Sequence, residues 1–163
     1  MSAVQFTREY EEWLASLIPH PLVSDDLAYK HKRMSDRDDP FAFFRGTYYL
    51  WVKRWASDAG ELSEGPRVLA LGDIHLENFG TWRDADGRLC WGVNDFDECD
   101  DLPWAQDVVR LAASVQFAKR GGSLRVKLAQ ACDLILAGYR DTLTAKGTPF
   151  VLEEHHRVLR RDR

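Results

Sequence analysis

Cysteine is scarce in this chain and poorly placed for structural work. Three are present among 163 residues, Cys90, Cys99 and Cys132. The number is odd and no C-x-x-C spacing occurs, so neither a disulfide framework nor a zinc ribbon is indicated, and a reduced, cytoplasmic setting is expected. No run of ~18 apolar residues occurs, so no membrane-spanning helix is expected. The opening MSAVQFTREYEEW is acidic and lacks the apolar stretch of a secretion signal. Basic charge is also short: 22 Lys and Arg stand against 26 Asp and Glu, a net charge of -4, which argues against a nucleic-acid partner. Internal repeats and low-complexity segments are missing.

What is there suits a packed domain. Hydrophobic residues make up 45% of the chain, with 6 Trp, 8 Phe and 5 Tyr, enough to build a core and to exclude wholesale disorder. The length fits one domain of ~100–200 residues. Phe6, Tyr10, Trp13, Leu14, Leu17 and Ile18 fall at helical spacing over 4–18, and Pro19 and Pro21 close that helix. A short polar helix is expected from Ser24, followed by a solvated charged connection over 31–39. Asp39-Pro40 reads as a cap with a first-turn proline, opening one helix whose apolar stripe runs from Phe41 to Trp55.

Beyond Gly65-Pro66 the pattern changes. Arg67–Leu71 reads as a short buried strand, and residues 79–83 and 88–93 flank Asp84-Ala85-Asp86-Gly87 as a β-hairpin. A helix follows over 103–119 with Trp104, Val108, Leu111, Ala112, Val115 and Ala118 on its apolar face. Another is capped by Ser123, and a last one opens at Thr148-Pro149 and runs into a basic end, His155–Arg163. The expected fold class is α+β, mostly helical, with a small sheet containing a hairpin over about 79–93.

Polar chemistry concentrates in two segments, GDIHLENFG from Gly72 and NDFDECDD from Asn94. A two-residue turn at Asp86-Gly87 makes paired positions sum to 173, which sets Asn78 opposite Asp95; a longer turn slips this by a residue or two. An amide oxygen and a carboxylate so placed can share one Mg2+, a hard cation that takes oxygen ligands. Asp73, five residues before Asn78, can face a substrate hydroxyl as proton acceptor. The plain alternative is a solvated acidic loop, with Asp100 and Asp101 capping the following helix.

These segments, with FAFFRG upstream and WAQDVVRLAAS downstream, resemble the bacterial family catalogued as domain of unknown function 2252, distantly similar to protein kinases and aminoglycoside phosphotransferases. The resemblance covers roughly residues 30–160. It implies a kinase-like C-lobe and Mg2+-dependent phosphoryl transfer from ATP. Asp73 and His75 would be the catalytic residues and Asn78, Asp95 and Asp97 the metal residues. Arg45 would bind the nucleotide or pair with the acidic cluster. Asp107 would brace the catalytic loop. The substrate is an unidentified small molecule. Neither a G-x-G-x-x-G loop nor a V-A-I-K strand is found, whereas longer relatives carry a Gly-rich segment and a lysine-bearing strand further on. The implied fold is therefore an incomplete kinase-like half, completed by a partner chain or self-association, or an inactive relative.

Two other classes stay open. Gly72-Asp73-Ile74-His75 also resembles the opening of calcineurin-like metallophosphoesterases, and Asp95-Phe96-Asp97 the D-x-D of haloacid-dehalogenase-like phosphatases. Their further motifs are missing. A non-catalytic binding module or pseudoenzyme is the remaining alternative.

Overall fold

The computed structural model describes residues 2–21, 23–120 and 124–155. The chain is α+β and mostly helical, and divides into two compact units, Met1–Gly65 and Pro66–Arg163. Among the described residues no helix is long and apolar enough to cross a membrane.

The first unit is helical. Helix α1, Ala3–Leu17, is capped by Ser2, whose side chain accepts the Gln5 N–H, and the prolines lie just beyond its end. It packs on α4, Tyr48–Asp58, through the stacked rings of Tyr10 and Tyr49, 4.1 Å between centroids, and a 2.6 Å hydrogen bond between the Thr7 and Tyr49 hydroxyls. Helix α2, Ser24–Met34, starts one residue before expectation places its body: Val23 holds the cap position, and no side chain caps it. It also runs through His31 to Met34, so half of the expected charged connection is helix, with basic residues in its last turn where they complement the dipole.

Asp39 caps α3, Pro40–Gly46, by accepting the Ala42 N–H at 3.1 Å. The single long helix expected over this region is broken at Thr47. Its backbone leaves helical geometry (φ -121, ψ 34) while its hydroxyl donates to the Phe43 carbonyl at 2.7 Å, a local bond that competes with the helix ladder. Gly46 serves packing here, since a Cβ would come within 2.7 Å of the Met34 sulfur.

The second unit holds both sheets. Strand β1, Arg67–Ala70, pairs antiparallel with β4, Asp100–Pro103, from Arg67↔Pro103 to Ala70↔Asp100. Two expectations are corrected here. Strand β1 is buried only at Ala70, with Leu69 82% exposed, and Asp100 and Asp101 belong to a strand rather than a helix cap. The reason is backbone accounting: β1 needs a partner for its N–H and C=O groups, and the segment before α5 (Ala105–Arg120) supplies one.

The hairpin forms as expected from β2, Phe79–Arg83, and β3, Leu89–Val93. Its turn is longer than two residues. Gly87 N–H donates to the Asp84 carbonyl, Gly87 takes a left-handed φ of 79°, and Asp84 N–H pairs with Arg88, giving a three-residue loop. The Asp84 carboxylate organises it by accepting the Asp86 and Arg88 N–H groups. The expected helix at Thr148-Pro149 is instead preceded by β5, Phe150–Val151, which pairs with Cys90 and Trp91 as the third strand. Val151, 3% exposed, gains its burial from that pairing. Helix α6 spans Leu128–Thr144 and stacks Tyr139 on Trp104, and α7 is the short Leu152–His155. The expected cap Ser123 and the basic end after His155 lie outside the described residues.

Candidate functional site

The loop between β1 and β2 is built by α5. Asp107, in the first turn of that helix, accepts the Leu71 N–H at 2.7 Å and the Gly72 N–H at 3.0 Å, one on each carboxylate oxygen. Burial pushes its carboxyl above the ordinary aspartate range, against the two backbone bonds and nearby Arg110, which pull it down. One turn further on, Arg110 reaches Asp73: Nε lies 2.8 Å from Oδ1, and Nη2 bonds the same oxygen. Arg110 is 1% exposed, while the Asp73 side chain keeps 21%. Another turn on, the Ser114 hydroxyl accepts the Leu76 N–H at 3.2 Å. Residues 107, 110 and 114 share one helix face by spacing, so a single polar stripe holds the loop at three points.

Asn78 closes the loop from its other end. Its Oδ1 accepts the His75 N–H at 2.6 Å, while its own N–H donates to the His75 carbonyl at 3.0 Å. That bond orients the amide, since the reverse orientation would set two donors face to face. Nδ2 then donates to Asp95 Oδ2 at 3.3 Å. The hairpin register sums to 172, so Asn94 is the cross-strand neighbour, its N–H donating to the Asn78 carbonyl at 3.0 Å. The adjacency of Asn78 and Asp95 therefore holds, and the expected pair is displaced by one residue because the turn is one residue longer.

The second segment is drawn against the first by glycine. Gly72 has φ 87°, and a Cβ there would stand 2.3 Å from the Glu98 carbonyl oxygen. At the hairpin base a Cβ on Gly80 would stand 2.6 Å from the Asn94 amide nitrogen. Backbone thus approaches backbone at Gly72, and the Asn94 side chain lies on the backbone at Gly80.

A family model described as "Uncharacterized protein conserved in bacteria (DUF2252)" matches residues 22–158. This chain belongs to the DUF2252 family. Neither a curated protein nor a solved structure matches it.

Within this DUF2252 chain the candidate residues separate. Asn78 and Asp95 come together through the hydrogen bond above, while Asp73, carried on the same loop, pairs with Arg110 of α5. His75 is 1% exposed, so its ring is part of the unit's interior, and it forms a capping box with Asn78. Asp97 is exposed on the 94–99 loop, and Arg45 is exposed in the last turn of α3, in the first unit. Among the described residues no group of three or more His, Cys, Asp or Glu could hold a metal.

The donors that remain are one exposed carboxylate, Asp95, and one amide oxygen that already accepts the His75 N–H and has a second lone pair. The amide turns its nitrogen, not its oxygen, toward Asp95. Of this pair the exposed Asp95 carboxylate is therefore the group that could take a hard cation such as Mg2+, which keeps water and substrate phosphate as its other ligands. Zinc, which wants four protein donors in a structural site, does not fit. Arg110 and Ser114 were missed by sequence reasoning, although the stripe Asp107, Arg110, Ser114 in an otherwise apolar helix was visible.

Proposed function

We propose that the Pro66–Arg163 unit of this DUF2252 protein serves Mg2+-dependent phosphoryl transfer from ATP to a hydroxyl or amine of a small molecule. The observation that supports this reading is the Asn78–Asp95 hydrogen bond at the end of a loop that also carries Asp73 and is braced from α5. Three polar side chains held by a buried scaffold are what a reaction that depends on placement and charge neutralisation needs. The family resemblance supplies the reaction class: Asp73 and Asn78 keep the spacing of a kinase-like catalytic loop, and Asp95 stands where a second metal residue follows a hairpin.

In this reading Asp95 would hold Mg2+, which would neutralise charge on the nucleotide phosphates. Asn78, expected from the sequence as a metal ligand, instead orients the Asp95 carboxylate through its Nδ2. Asp73 faces the acceptor group and orients it. Its Oδ1 is engaged by Arg110, which weakens it as a base and suits it to positioning. Asp107 and Ser114 fix the backbone on which Asp73 and Asn78 are carried.

The test is calorimetric titration of ATP with and without Mg2+ into the wild-type chain and the Asp95→Ala variant, with phosphorus NMR for transfer. Mg2+-dependent binding lost in Asp95→Ala is the expected result; equal affinity for both proteins sinks the reading. The Asp73–Arg110 bond also favours a second reading, a nucleotide-binding module without turnover. Binding with no phosphate transferred to any acceptor distinguishes it.

A further inference from the structure

The first unit contains a cavity of about 620 Å³ between α1, α2 and α3, a size typical of small-molecule sites, which span ~300–1,000 Å³. One wall is the face of α1 that carries Val4, Arg8 and Glu11, which helical spacing places side by side. Met34 of α2 and Phe43 of α3 supply apolar surface opposite. Val4 is 70% exposed and Phe43 40%, so apolar area here is left uncovered by the unit's own side chains. Helix α1 lies before residue 22, where the family match begins, so half of this cavity is built outside the matched region.

Charge decides what chemistry would fill it. Two cations, Arg8 and Lys32, line the cavity, and neither makes an ion pair or hydrogen bond through its side chain among the described residues. The acid in the lining, Glu11, has its carboxylate taken by His31 at 2.7 Å and is largely withdrawn, with 16% side-chain exposure. The cavity thus pairs an apolar wall with two exposed cations against one largely withdrawn carboxylate. Both cations are solvent-exposed, so a neutral guest gains nothing from them, an anionic head gains two charge contacts, and a cationic head is repelled.

We propose that this cavity binds an anionic amphiphile, with a carboxylate or phosphate head held by Arg8 and Lys32 and an apolar tail along Val4, Met34 and Phe43. The ligand is one small molecule, since the walls come from three helices of a single unit and enclose a concave space. The site is independent of the Asp73–Asn78–Asp95 loop.

The experiment is calorimetry on the full chain with decanoate, decyl phosphate, decanol and decyltrimethylammonium, all below their micelle concentrations. Saturable binding of either anion is expected, with decanol at least about tenfold weaker and the cation not binding. The better of the two anions assigns the head as carboxylate or phosphate. The double variant Arg8→Glu/Lys32→Glu, both at exposed positions and checked for folding by circular dichroism, should weaken anion binding by tenfold or more, on the order of one charge contact reversed. Decanol binding as tightly as decanoate, or unchanged anion binding by the variant, overturns the proposal. So does a concentration-dependent dimer in sedimentation equilibrium that Val4→Asp disperses, which would assign the surface to a second copy of the chain.

Discussion

Arg110 delivers two N–H groups, Nε and Nη2, to a single oxygen of Asp73, Oδ1. The two partners differ sharply in their access to water: 1% for the guanidinium and 21% for the carboxylate. Breaking a buried ion pair from one side costs ~3–5 kcal/mol, because the charge left behind has no compensation. Asp73→Ala should therefore sit at the upper end of that range. Arg110→Leu should cost less, since the orphaned carboxylate can rehydrate. The double variant should recover much of the loss, giving a coupling energy of ~1–3 kcal/mol in urea denaturation. Additive losses would show the pair to be unimportant. Lost activity in Asp73→Ala thus has to be read beside its stability.

Asn78 and Asp95 make the opposite contrast. Asn78 is 5% exposed and satisfies the His75 N–H, so Asn78→Ala leaves a buried donor unmet and should destabilise by ~1–3 kcal/mol. Asp95 is exposed and receives one long bond, so Asp95→Ala should change stability by no more than ~0.5 kcal/mol. Manganese binding followed by electron paramagnetic resonance should nevertheless be lost in Asp95→Ala. A stable Asp95→Ala protein that binds manganese like the wild type removes Asp95 from the metal site.

The legible parts of this chain are those fixed by local signals. Proline after Ile18, the Asp39-Pro40 cap and the Asp-Gly turn each act within a few residues, and each falls where the sequence places it. The parts that were not legible depend on distant partners. Strand β5 is two residues long and exists because β3 offers it an edge, and β4 exists because β1 does. On α5 the apolar stripe suggested the buried face, yet Gln106, Arg110 and Ser114 are among its most buried residues. A polar residue buried by its hydrogen bonds carries no hydropathy signal, so the scaffold of the site was the hardest part to read. The Asn78–Asp95 contact was readable because a hairpin converts sequence distance into contact.

Asp107 should write itself into the pH dependence of stability. Burial raises its folded-state carboxyl above the ordinary aspartate range, so the folded protein holds that proton more tightly than the unfolded chain does. Such a group favours folding most at low pH, and its contribution falls as pH rises through the raised value. Asp107→Asn cannot titrate, and it also turns an amide N–H2 toward a backbone N–H, which costs ~1–3 kcal/mol. The unfolding free energy of wild type minus that of Asp107→Asn should therefore decline from below the ordinary aspartate range to above the raised value. Urea midpoints at closely spaced acidic pH values measure this. A difference that grows with pH would contradict the buried-carboxyl assignment.

Gly72 and Gly87 separate two reasons for glycine. Both have positive φ, 87° and 79°, so an alanine at either is strained by the left-handed backbone, at ~1–2 kcal/mol. Around Gly87 nothing lies within 4 Å of a built Cβ, and that strain should be the whole cost. At Gly72 the Cβ would also stand 2.3 Å from the Glu98 carbonyl, backbone that cannot swing aside. Gly72→Ala must therefore part the two polar segments, and its cost should exceed that of Gly87→Ala by ~2 kcal/mol or more. Thermal denaturation of the two variants side by side measures the gap. Faster hydrogen exchange at the Leu71 and Gly72 amides in Gly72→Ala, with the Asp84–Arg88 turn unchanged, would locate the damage at the loop that carries Asp73. Equal destabilisation of the two variants would mean that the loop and the Glu98 backbone are not in contact, and the convergence of the site would lose its support.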